Sequence, residues 1–529
     1  MQSSDVKRPI ETPSQSPLRG GPRRGADYSL YFVLLATAGF FLARLPVLSH
    51  RVFDPDEFQH SHAAWCVFKG MVPYKDFFEH HTPWYYYALS PFFHGFDVDG
   101  SFESARHFLL FGRGLSLVLT ILSVLLIVRI GRLLEGRLLE DRRVGLLAGL
   151  FLVSQPVLFQ KTIEIRPDVL ALPFFLGGLW FLLRGLARSG DGTRRSLWQF
   201  FGGGLSVGAA IMCTQKMLFV LPGALAGLGI WVLFARTKAG FRSRILLMLA
   251  CSLGIAVPGV LTWVAFSLQH AGNQFIANNF LLNSKWQHIA KDQFIEVLKG
   301  SWPILILSLL GVAASLYRFV RSEQRQYGEI LLLSTLVGLV AGILVVPVAH
   351  RQYYLMPLPV VCLFAAKGLS FLIERARERA RPRFLVLATL PLLVLPVLDL
   401  IDSFTSPNDA QLARLRYVFQ STKPTDLVMD GWEGTGVFRP HAFRYFFLHE
   451  ESVVMLPPEQ VDAYVDALES GKIRPRLIAM DENLPVLGSR FLRFVKSHYT
   501  SSDGFFYFAD AGSSRPASRR SAPASTSSP

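Results

Sequence analysis

The chain contains a series of apolar segments, most of them long enough to cross a lipid bilayer as a helix. A helix needs about 20 predominantly apolar residues to span the hydrocarbon core. A mean hydropathy of +0.33, with 51% hydrophobic residues, also exceeds what one water-soluble core can bury. We therefore predict an α-helical polytopic membrane protein with about eleven transmembrane helices. The segments lie at 28–48, 107–130, 144–159, 168–187, 197–213, 217–235, 244–268, 302–320, 328–349, 353–373 and 384–401.

Basic residues are unevenly distributed between the loops that join these segments. Alternate loops are rich in arginine, whereas the intervening short loops carry few basic residues. Loops rich in Lys and Arg remain in the cytoplasm. This pattern predicts a cytoplasmic N-terminus, an extracytoplasmic C-terminus and a multi-pass protein of the cell membrane. The arginine-rich loops lie near 132–143, 184–195, 236–244, 318–325 and 375–383.

The net charge of +15 does not indicate a nucleic-acid-binding protein, because the basic residues lie mainly between apolar segments and in both tails. The four cysteines are widely separated, which argues against a disulfide framework or a zinc-finger type of site. The first apolar segment has no small-residue cleavage site, so we expect an uncleaved first helix.

Four regions follow from these patterns. We expect a disordered cytoplasmic N-terminus at 1–27 and a transmembrane domain at 28–401, whose first outer loop is 49–106. From 402 to 512, helix-like charged stretches alternate with the short apolar runs DLVMD, SVVML and RLIAM, which predict a small extracytoplasmic α/β domain. The remainder, 513–529, has a disordered composition.

Unusual polar residues gather in the first outer loop. It begins with Asp54, Asp56 and Glu57, followed by a predicted short helix that carries two histidines and ends near Gly70. The loop continues as VPYKDFFEHHTPWYYY, in which His80 and His81 stand beside an aromatic cluster. The first outer loop therefore combines carboxylates, imidazoles and interfacial aromatic residues.

Three further outer loops carry ionisable side chains at helix ends. Ionisable groups at the membrane edge cost several kcal/mol unless they are paired or solvated, so their concentration on one side indicates a function. Two acidic loops that converge with several cations suit cleavage of a sugar–phosphate bond: a carboxylate accepts the proton of the attacking hydroxyl, and cations or a metal stabilise the departing phosphate. These residues are Glu164, Arg166 and Asp168, then Lys216, then His350, Arg351 and Tyr353.

Each element also has a simpler explanation. The acidic residues of DPDE can cap the helix that follows them. The histidines can be solvated or interfacial, and Glu164, Arg166 and Asp168 can form an ion pair with an N-cap. Lys216 and Arg351 can extend towards lipid headgroups. The occurrence of all of them on one side favours the functional interpretation.

At these residues the sequence resembles the C-type glycosyltransferases that use lipid-phosphate sugars. The shared features are the acidic pair after the first helix, a G-x-x-P-Y-x-D-x-F-x-H-H-x-P stretch, an R-P-D, a T-Q-K turn and an H-R-x-Y-Y-x-x-P-L. Within these enzymes the chain is most similar to the bacterial branch related to protein O-mannosyltransferases and the lipid A aminoarabinose transferase. The resemblance covers roughly residues 28–400.

The resemblance implies roles for individual residues. Asp56 corresponds to the catalytic acidic residue of the first loop, Glu57 is its neighbour, and Asp168 is the acidic residue of the second loop. The remaining candidates are expected to bind substrate. This sequence has His80, His81, Thr82 and Pro83 where family members often have a Lys followed by two prolines, so His81 is a candidate phosphate-binding residue. The expected substrate-binding residues are His81, Glu164, Arg166, Lys216, His350, Arg351 and Tyr353.

The predicted function is inverting transfer of a sugar from a polyprenyl-phosphate donor to an acceptor hydroxyl on the outer face of the membrane. The acceptor is a lipid, a glycan or a protein, and the surrounding membrane lipids are the other partners. No cofactor is required by the sequence, although His80, His81 and Asp168 are candidate ligands of a divalent metal. The alternatives are a transporter or flippase of lipid-linked sugars, which places charges near the bilayer midplane, and a receptor-like protein.

Overall fold

The computed structural model describes nine continuous stretches of the chain and six single positions between 387 and 401. The predicted disordered ends, most of the segment 384–401 and most of the SVVML run lie outside the described residues. The stretches are 28–134, 143–189, 193–236, 240–285, 292–321, 326–346, 349–376, 406–449 and 456–509.

The part of the chain up to residue 376 is helical. Short 3₁₀ turns cover Ser90–Gly95, Gln215–Phe219, Leu282–Lys285 and Arg351–Leu355, and a π-helical turn covers Ala277–Leu281. The α-helices are α1 (Tyr28–His50), α2 (Pro55–Phe68), α3 (Trp84–Leu89), α4 (Phe102–Leu134), α5 (Arg143–Val153), α6 (Pro156–Lys161), α7 (Pro167–Arg188), α8 (Thr193–Cys213), α9 (Val220–Phe234), α10 (Phe241–Leu268), α11 (Gly272–Ile276), α12 (Asp292–Arg321), α13 (Tyr327–Val345) and α14 (Pro357–Arg375).

Within the described residues, nine helices are long and apolar enough to cross a membrane. The predicted fold class, a polytopic helical membrane protein with a small C-terminal sheet, is confirmed. The segment predicted at 144–159 is not one helix. It divides into α5 and α6 because Pro156 has no N–H to continue α5, and Gln155 before it is extended, at φ −78° and ψ 129°.

Glycines allow pairs of membrane helices to approach closely. A Cβ at Gly204 of α8 would collide with the carbonyl of Cys251 on α10, and one at Gly254 would collide with the carbonyl of Phe201. In a bilayer, where lipid is as apolar as the helix surface, such close packing is a main source of helix association. These contacts hold α8 against α10, and therefore fix the turn that follows α8.

The C-terminal region forms a small α/β unit. It contains α15 (Asp409–Ser421), β1 (Val428–Met429), α16 (Pro458–Glu469), β2 (Leu477–Ala479), a 3₁₀ turn (Leu484–Leu487), α17 (Gly488–His498), β3 (Tyr499–Ser501) and β4 (Phe506–Ala509). The strand order is β1-β2-β4-β3. The β1–β2 pair is parallel, with Val428 opposite Leu477, and the other two pairs are antiparallel.

The C-terminal unit shares a hydrophobic core with the first outer loop. His62 of α2 contacts the Phe446 ring at 4.5 Å between centroids, and Phe78 contacts Tyr445 at 4.4 Å. Gly434, at φ +74°, lies directly against Phe58, so no side chain fits there. The sequence pattern therefore changes at residue 402, but one hydrophobic core includes residues from both sides of this boundary. The C-terminal unit covers the first outer loop.

The charge distribution predicts that the C-terminal unit lies outside the membrane and that the loop before α10 lies inside. Single cysteines at Gly240 and Ser502, both exposed, should be labelled from opposite sides of intact membrane vesicles by an impermeant maleimide. The four native cysteines are buried, so background labelling should be low. Labelling of both positions from the same side would contradict this topology.

Candidate active site

A cavity of about 720 Å³ lies where the first outer loop, the ends of the membrane helices and the C-terminal unit meet. Its wall combines carboxylates, cations, imidazoles, amides and an apolar portion. The polar and aromatic lining residues are Asp54, Asp56, Gln59, His80, His81, Lys161, Gln215, Lys216, Asn279, Asn283, Gln293, His350, Arg351, Gln352, Tyr353, Trp432, Phe447 and His449. The aliphatic and remaining aromatic residues are Leu218, Phe219, Phe280, Val345 and Val346.

A buried ion pair fixes the acidic segment at the start of α2. The Arg113 guanidinium donates to both carboxylate oxygens of Glu57, at 2.9 and 2.7 Å, and also to the carbonyl oxygens of Leu48, Arg51 and Val52. Glu57 also accepts the backbone N–H of Asp54, while Asp54 accepts that of Asp56. This capping box satisfies the first turn of α2 and holds Asp54 and Asp56 beside the cavity.

A second buried guanidinium connects the two acidic loops. Arg166 donates to Asp56 Oδ2 at 2.6 Å and to Glu164 Oε2 at 2.9 Å. Its remaining ionic contacts, at 3.7 and 3.8 Å, are with Asp54 and Asp168. Buried charges must be paired, and the Arg166 guanidinium lies within 4 Å of four carboxylates.

The cations of the cavity wall are held by neighbouring polar groups. Lys161 bridges Asp54 and Glu164, at 2.7 and 3.0 Å. Lys216 donates to both oxygens of Asp168, at 3.2 and 3.3 Å, and lies 4.6 Å from the centre of the Tyr353 ring.

Arg351, the third cation of the cavity wall, is anchored from two sides. Its guanidinium donates to Gln160 at 3.0 Å and to Glu296 at 2.5 Å. Its backbone N–H donates to Gln293 at 2.8 Å. These contacts fix the side chain on the cavity wall, beside His350.

The pKa values of two carboxyl groups of the site are shifted in opposite directions. Burial favours neutral Asp56, but Arg166, Lys161 and His81 together outweigh it and lower the pKa of Asp56 to about 2. Burial and the nearby Asp54 raise the pKa of Glu164, against the opposing effect of its cations. Asp56 is therefore the more firmly ionised of the two.

Glu79, His80 and His81 form a compact cluster beside the cavity. Glu79 Oε1 accepts the backbone N–H of His80 and of His81, at 2.8 and 2.9 Å, and lies 2.8 Å from His81 Nδ1. The potential ligand atoms of the three residues lie within 4.8 Å of one another, so they could hold a divalent cation if His81 gave up its bond to Glu79. Asp168, the third metal ligand suggested by sequence, is instead bound to Lys216.

The structure divides the predicted site residues into two groups. One group lines the cavity; the other is buried behind its wall, where Arg166 pairs with Asp56 and Asp168 pairs with Lys216. The lining group is Asp56, His80, His81, Lys216, His350, Arg351 and Tyr353. The buried group is Glu57, Glu164, Arg166 and Asp168, each at most 2% exposed.

Comparison with protein families identifies one match. Residues 109–263 match the family described as dolichyl-phosphate-mannose-protein mannosyltransferase. The match covers well under half of the chain and includes Glu164, Arg166, Asp168 and Lys216. No curated protein matches the sequence.

Solved structures match nearly the whole chain. ArnT from Cupriavidus metallidurans has TM-scores of 0.61 in the apo state and 0.60 with undecaprenyl phosphate, at 14% and 12% identity. The two alignments cover 91% and 90% of this chain and 98% of ArnT. AglB, the oligosaccharyltransferase of Archaeoglobus fulgidus, in complex with an inhibitory peptide and a dolichol-phosphate, has a TM-score of 0.55 at 12% identity, covering 93% of this chain and 76% of AglB.

The chain has the fold of the C-type membrane glycosyltransferases. The resemblance deduced from the sequence motifs is thereby confirmed. The position of the cavity follows from the fold, because the long first loop and the C-terminal unit meet over the ends of the membrane helices.

Sequence reasoning missed several residues of the site. Lys161 lies three residues before Glu164, and the QKTIEIRPD stretch could have suggested it as a partner. Glu79 directly precedes His80 and His81, and of these three residues only the two histidines were predicted as metal ligands. Trp432 and Phe447 come from the C-terminal unit and carry no motif, so only the fold brings them to the cavity.

The Glu57–Arg113 pair predicts a large effect on stability. Removing one partner of a buried ion pair typically costs about 3–5 kcal/mol, because the other charge is left buried and uncompensated. We therefore expect Glu57→Gln to lower the thermal unfolding temperature in nanodiscs. Glu103→Gln is the matched control: Glu103 pairs with Arg416 at 3.0 Å, but both side chains are more than half exposed. An exposed pair of this kind contributes about 0–1 kcal/mol. Equal unfolding temperatures for the two variants would contradict the structural role of Glu57.

Proposed function

We propose that this chain is a glycosyltransferase that moves a sugar from a polyprenyl-phosphate donor to an acceptor hydroxyl on the outer face of the cell membrane, with inversion at the anomeric carbon. The observation that carries the proposal is the composition of the cavity wall. The carboxylate of Asp56, the cationic side chains of Lys161, Lys216 and Arg351, and an apolar portion face one space. A sugar linked through phosphate to a polyprenyl chain requires these three features together.

The cations suit the phosphate of the donor. Lys161, Lys216 and Arg351 line the cavity together with the carboxylates of Asp54 and Asp56. Each of the three cations is held in place by an acidic partner. Preorganised cations stabilise the charge that develops on a departing phosphate. Lys216 is well suited to this role, because Asp168 and Tyr353 restrict its position.

The apolar part of the wall suits the lipid. Leu218, Phe219 and Phe280 line the cavity together with Val345 and Val346, and Val345 is 77% exposed at the end of α13. An apolar path from the cavity to the membrane-facing surface would let the polyprenyl tail remain among lipids while its phosphate enters. ArnT bound to undecaprenyl phosphate and AglB in complex with dolichol-phosphate support a donor of this class.

Asp56 is the proposed base. As the acceptor oxygen attacks the anomeric carbon, its proton passes to an oxygen of Asp56, and the bond between that carbon and the phosphate oxygen breaks. Both electrons of that bond leave with the polyprenyl phosphate. A single displacement of this kind inverts the configuration at carbon.

The donor itself would improve Asp56 as a base. With a pKa of about 2, Asp56 holds a proton weakly at neutral pH, because Arg166, Lys161 and His81 favour its charged form. A phosphate anion in the cavity opposes those cations and raises the pKa of Asp56. Proton transfer to Asp56 would thus become more favourable once the donor is bound.

The buried acidic residues support the site from behind. Glu57 fixes the first turn of α2, and Asp168 positions Lys216. Glu164 balances Lys161 and Arg166. We assign these three residues to positioning, and we reserve proton transfer for Asp56. Glu79, His80 and His81 would hold a divalent metal, which would supply positive charge beside the cavity.

The test of Asp56 is the variant Asp56→Asn. The amide keeps the size of the side chain but cannot accept the proton, and a positioned base typically contributes about 10²- to 10⁴-fold. We expect transfer from polyprenyl-phosphate sugar to fall by at least 100-fold in the purified variant, while polyprenyl phosphate still binds. Asp97→Asn, at an exposed position of the same loop, should transfer normally.

Two results would overturn this assignment. A folded Asp56→Asn protein with near-normal transfer would remove Asp56 as the base. A wild-type protein that moves lipid-linked sugar across liposomes without transferring it would favour the flippase alternative.

A further inference from the structure

Two N–H donors from different parts of the chain remain without an acceptor near the cavity. Gln59 of α2 is 5% exposed, and its Nε2 has no hydrogen-bond partner within the described stretches. The indole Nε1 of Trp432, in the C-terminal unit, is likewise shielded from solvent and lacks an acceptor there. Both residues line the cavity. Buried donors of this kind ordinarily have partners, and a molecule bound in the cavity would supply them once the two side chains turn towards it.

The backbone of the loop that carries Trp432 is held rigidly at this wall. The backbone N–H groups of Gly431, Trp432 and Glu433 all donate to Oδ2 of Asp481, at 2.9, 2.7 and 3.1 Å. The Trp432 ring lies 4.2 Å from that of His449 in an edge-to-face arrangement. A carboxylate that fixes three consecutive amides makes the loop a preorganised support for the indole.

Gln59 lies close to the proposed base along the helix. Asp56 and Gln59 are three residues apart on α2, so their side chains leave the same face, and both line the cavity. A group bound to Gln59 would therefore be a neighbour of the hydroxyl that Asp56 deprotonates. In a pyranose, the hydroxyl bound by Gln59 and the hydroxyl deprotonated by Asp56 would be on adjacent ring carbons.

We propose that Gln59 and Trp432 form the acceptor subsite and that the acceptor is a carbohydrate. This inference rests on the proposed function. The apolar face of a pyranose stacks on the Trp432 ring, the indole N–H and the Gln59 amide donate to ring hydroxyls, and a neighbouring hydroxyl faces Asp56.

The neutral character of this pair favours a sugar over a charged acceptor. Flat aromatic surfaces and amide side chains match the C–H faces and the hydroxyls of a pyranose.

The competing explanation is a bound water, because Gln59 and Trp432 also line a second void of about 10 Å³, which is about enough for one water molecule.

The test uses the full chain in nanodiscs and a panel of neutral methyl hexopyranosides, with binding followed by saturation-transfer NMR. A serine- and threonine-containing peptide is the comparison ligand. We expect at least one glycoside to bind and the peptide not to bind. Gln59→Ala and Trp432→Ala should each weaken glycoside binding about tenfold, as expected for a lost hydrogen bond to a buried donor. Trp432→Phe, which keeps a ring but loses the N–H, should have an intermediate effect.

The controls separate this subsite from the donor site and from the proposed function. Trp198→Ala, at a side chain that is 66% exposed on α8, should bind glycosides normally. Polyprenyl phosphate should bind all variants with unchanged affinity; failure of polyprenyl phosphate to bind the wild-type chain would overturn the proposed function instead.

Four outcomes would overturn the acceptor assignment. Two concern the ligands: no glycoside binds, or the peptide binds in place of glycosides. Two concern the Gln59 and Trp432 variants: they bind glycosides normally, or they lose polyprenyl phosphate to the same extent as glycosides. Normal glycoside binding in these variants would leave the two donors as ligands of a structural water.

Discussion

The site depends on two guanidinium groups that are buried among carboxylates. Arg113 holds Glu57, and Arg166 holds Asp56 and Glu164. An isolated buried charge costs several kcal/mol, so each of these groups is tolerable only while its partners are present. The start of α2 and the loop before α7 are therefore bound to each other, and neither acidic loop can move independently of the other.

The same ion pairs explain how a carboxylate can serve as a base in a site rich in cations. Of the three groups whose charges lower the pKa of Asp56, Lys161 and His81 also line the cavity, where they are suited to bind a phosphate, whereas Arg166 lies behind the wall. An anionic donor would weaken that effect when it enters. Donor binding and activation of the base are thus expected to be coupled through Lys161 and His81.

Much of this architecture could be predicted from sequence because it depends on local composition. The helix that begins at Pro55, the polytopic fold and the strand at Leu477–Ala479 follow from caps and hydrophobic periodicity. Burial of Glu57 could not be predicted, because its partner Arg113 lies 56 positions away in a segment that otherwise resembles a membrane span. Trp432 lies at the cavity because phenylalanines of the first outer loop and of the C-terminal unit pack in one core. No local sequence pattern predicts this packing.

The central claim is that the cavity holds the phosphate of a lipid-linked donor between the cations and Asp56. The most direct measurement is a cryo-EM structure of the full chain in nanodiscs with polyprenyl phosphate. We expect the phosphate within hydrogen-bond distance of Lys216 and Arg351, with the lipid tail passing Phe219 and Val345. A phosphate bound outside this cavity, or one near the bilayer midplane away from Asp56, would contradict the account.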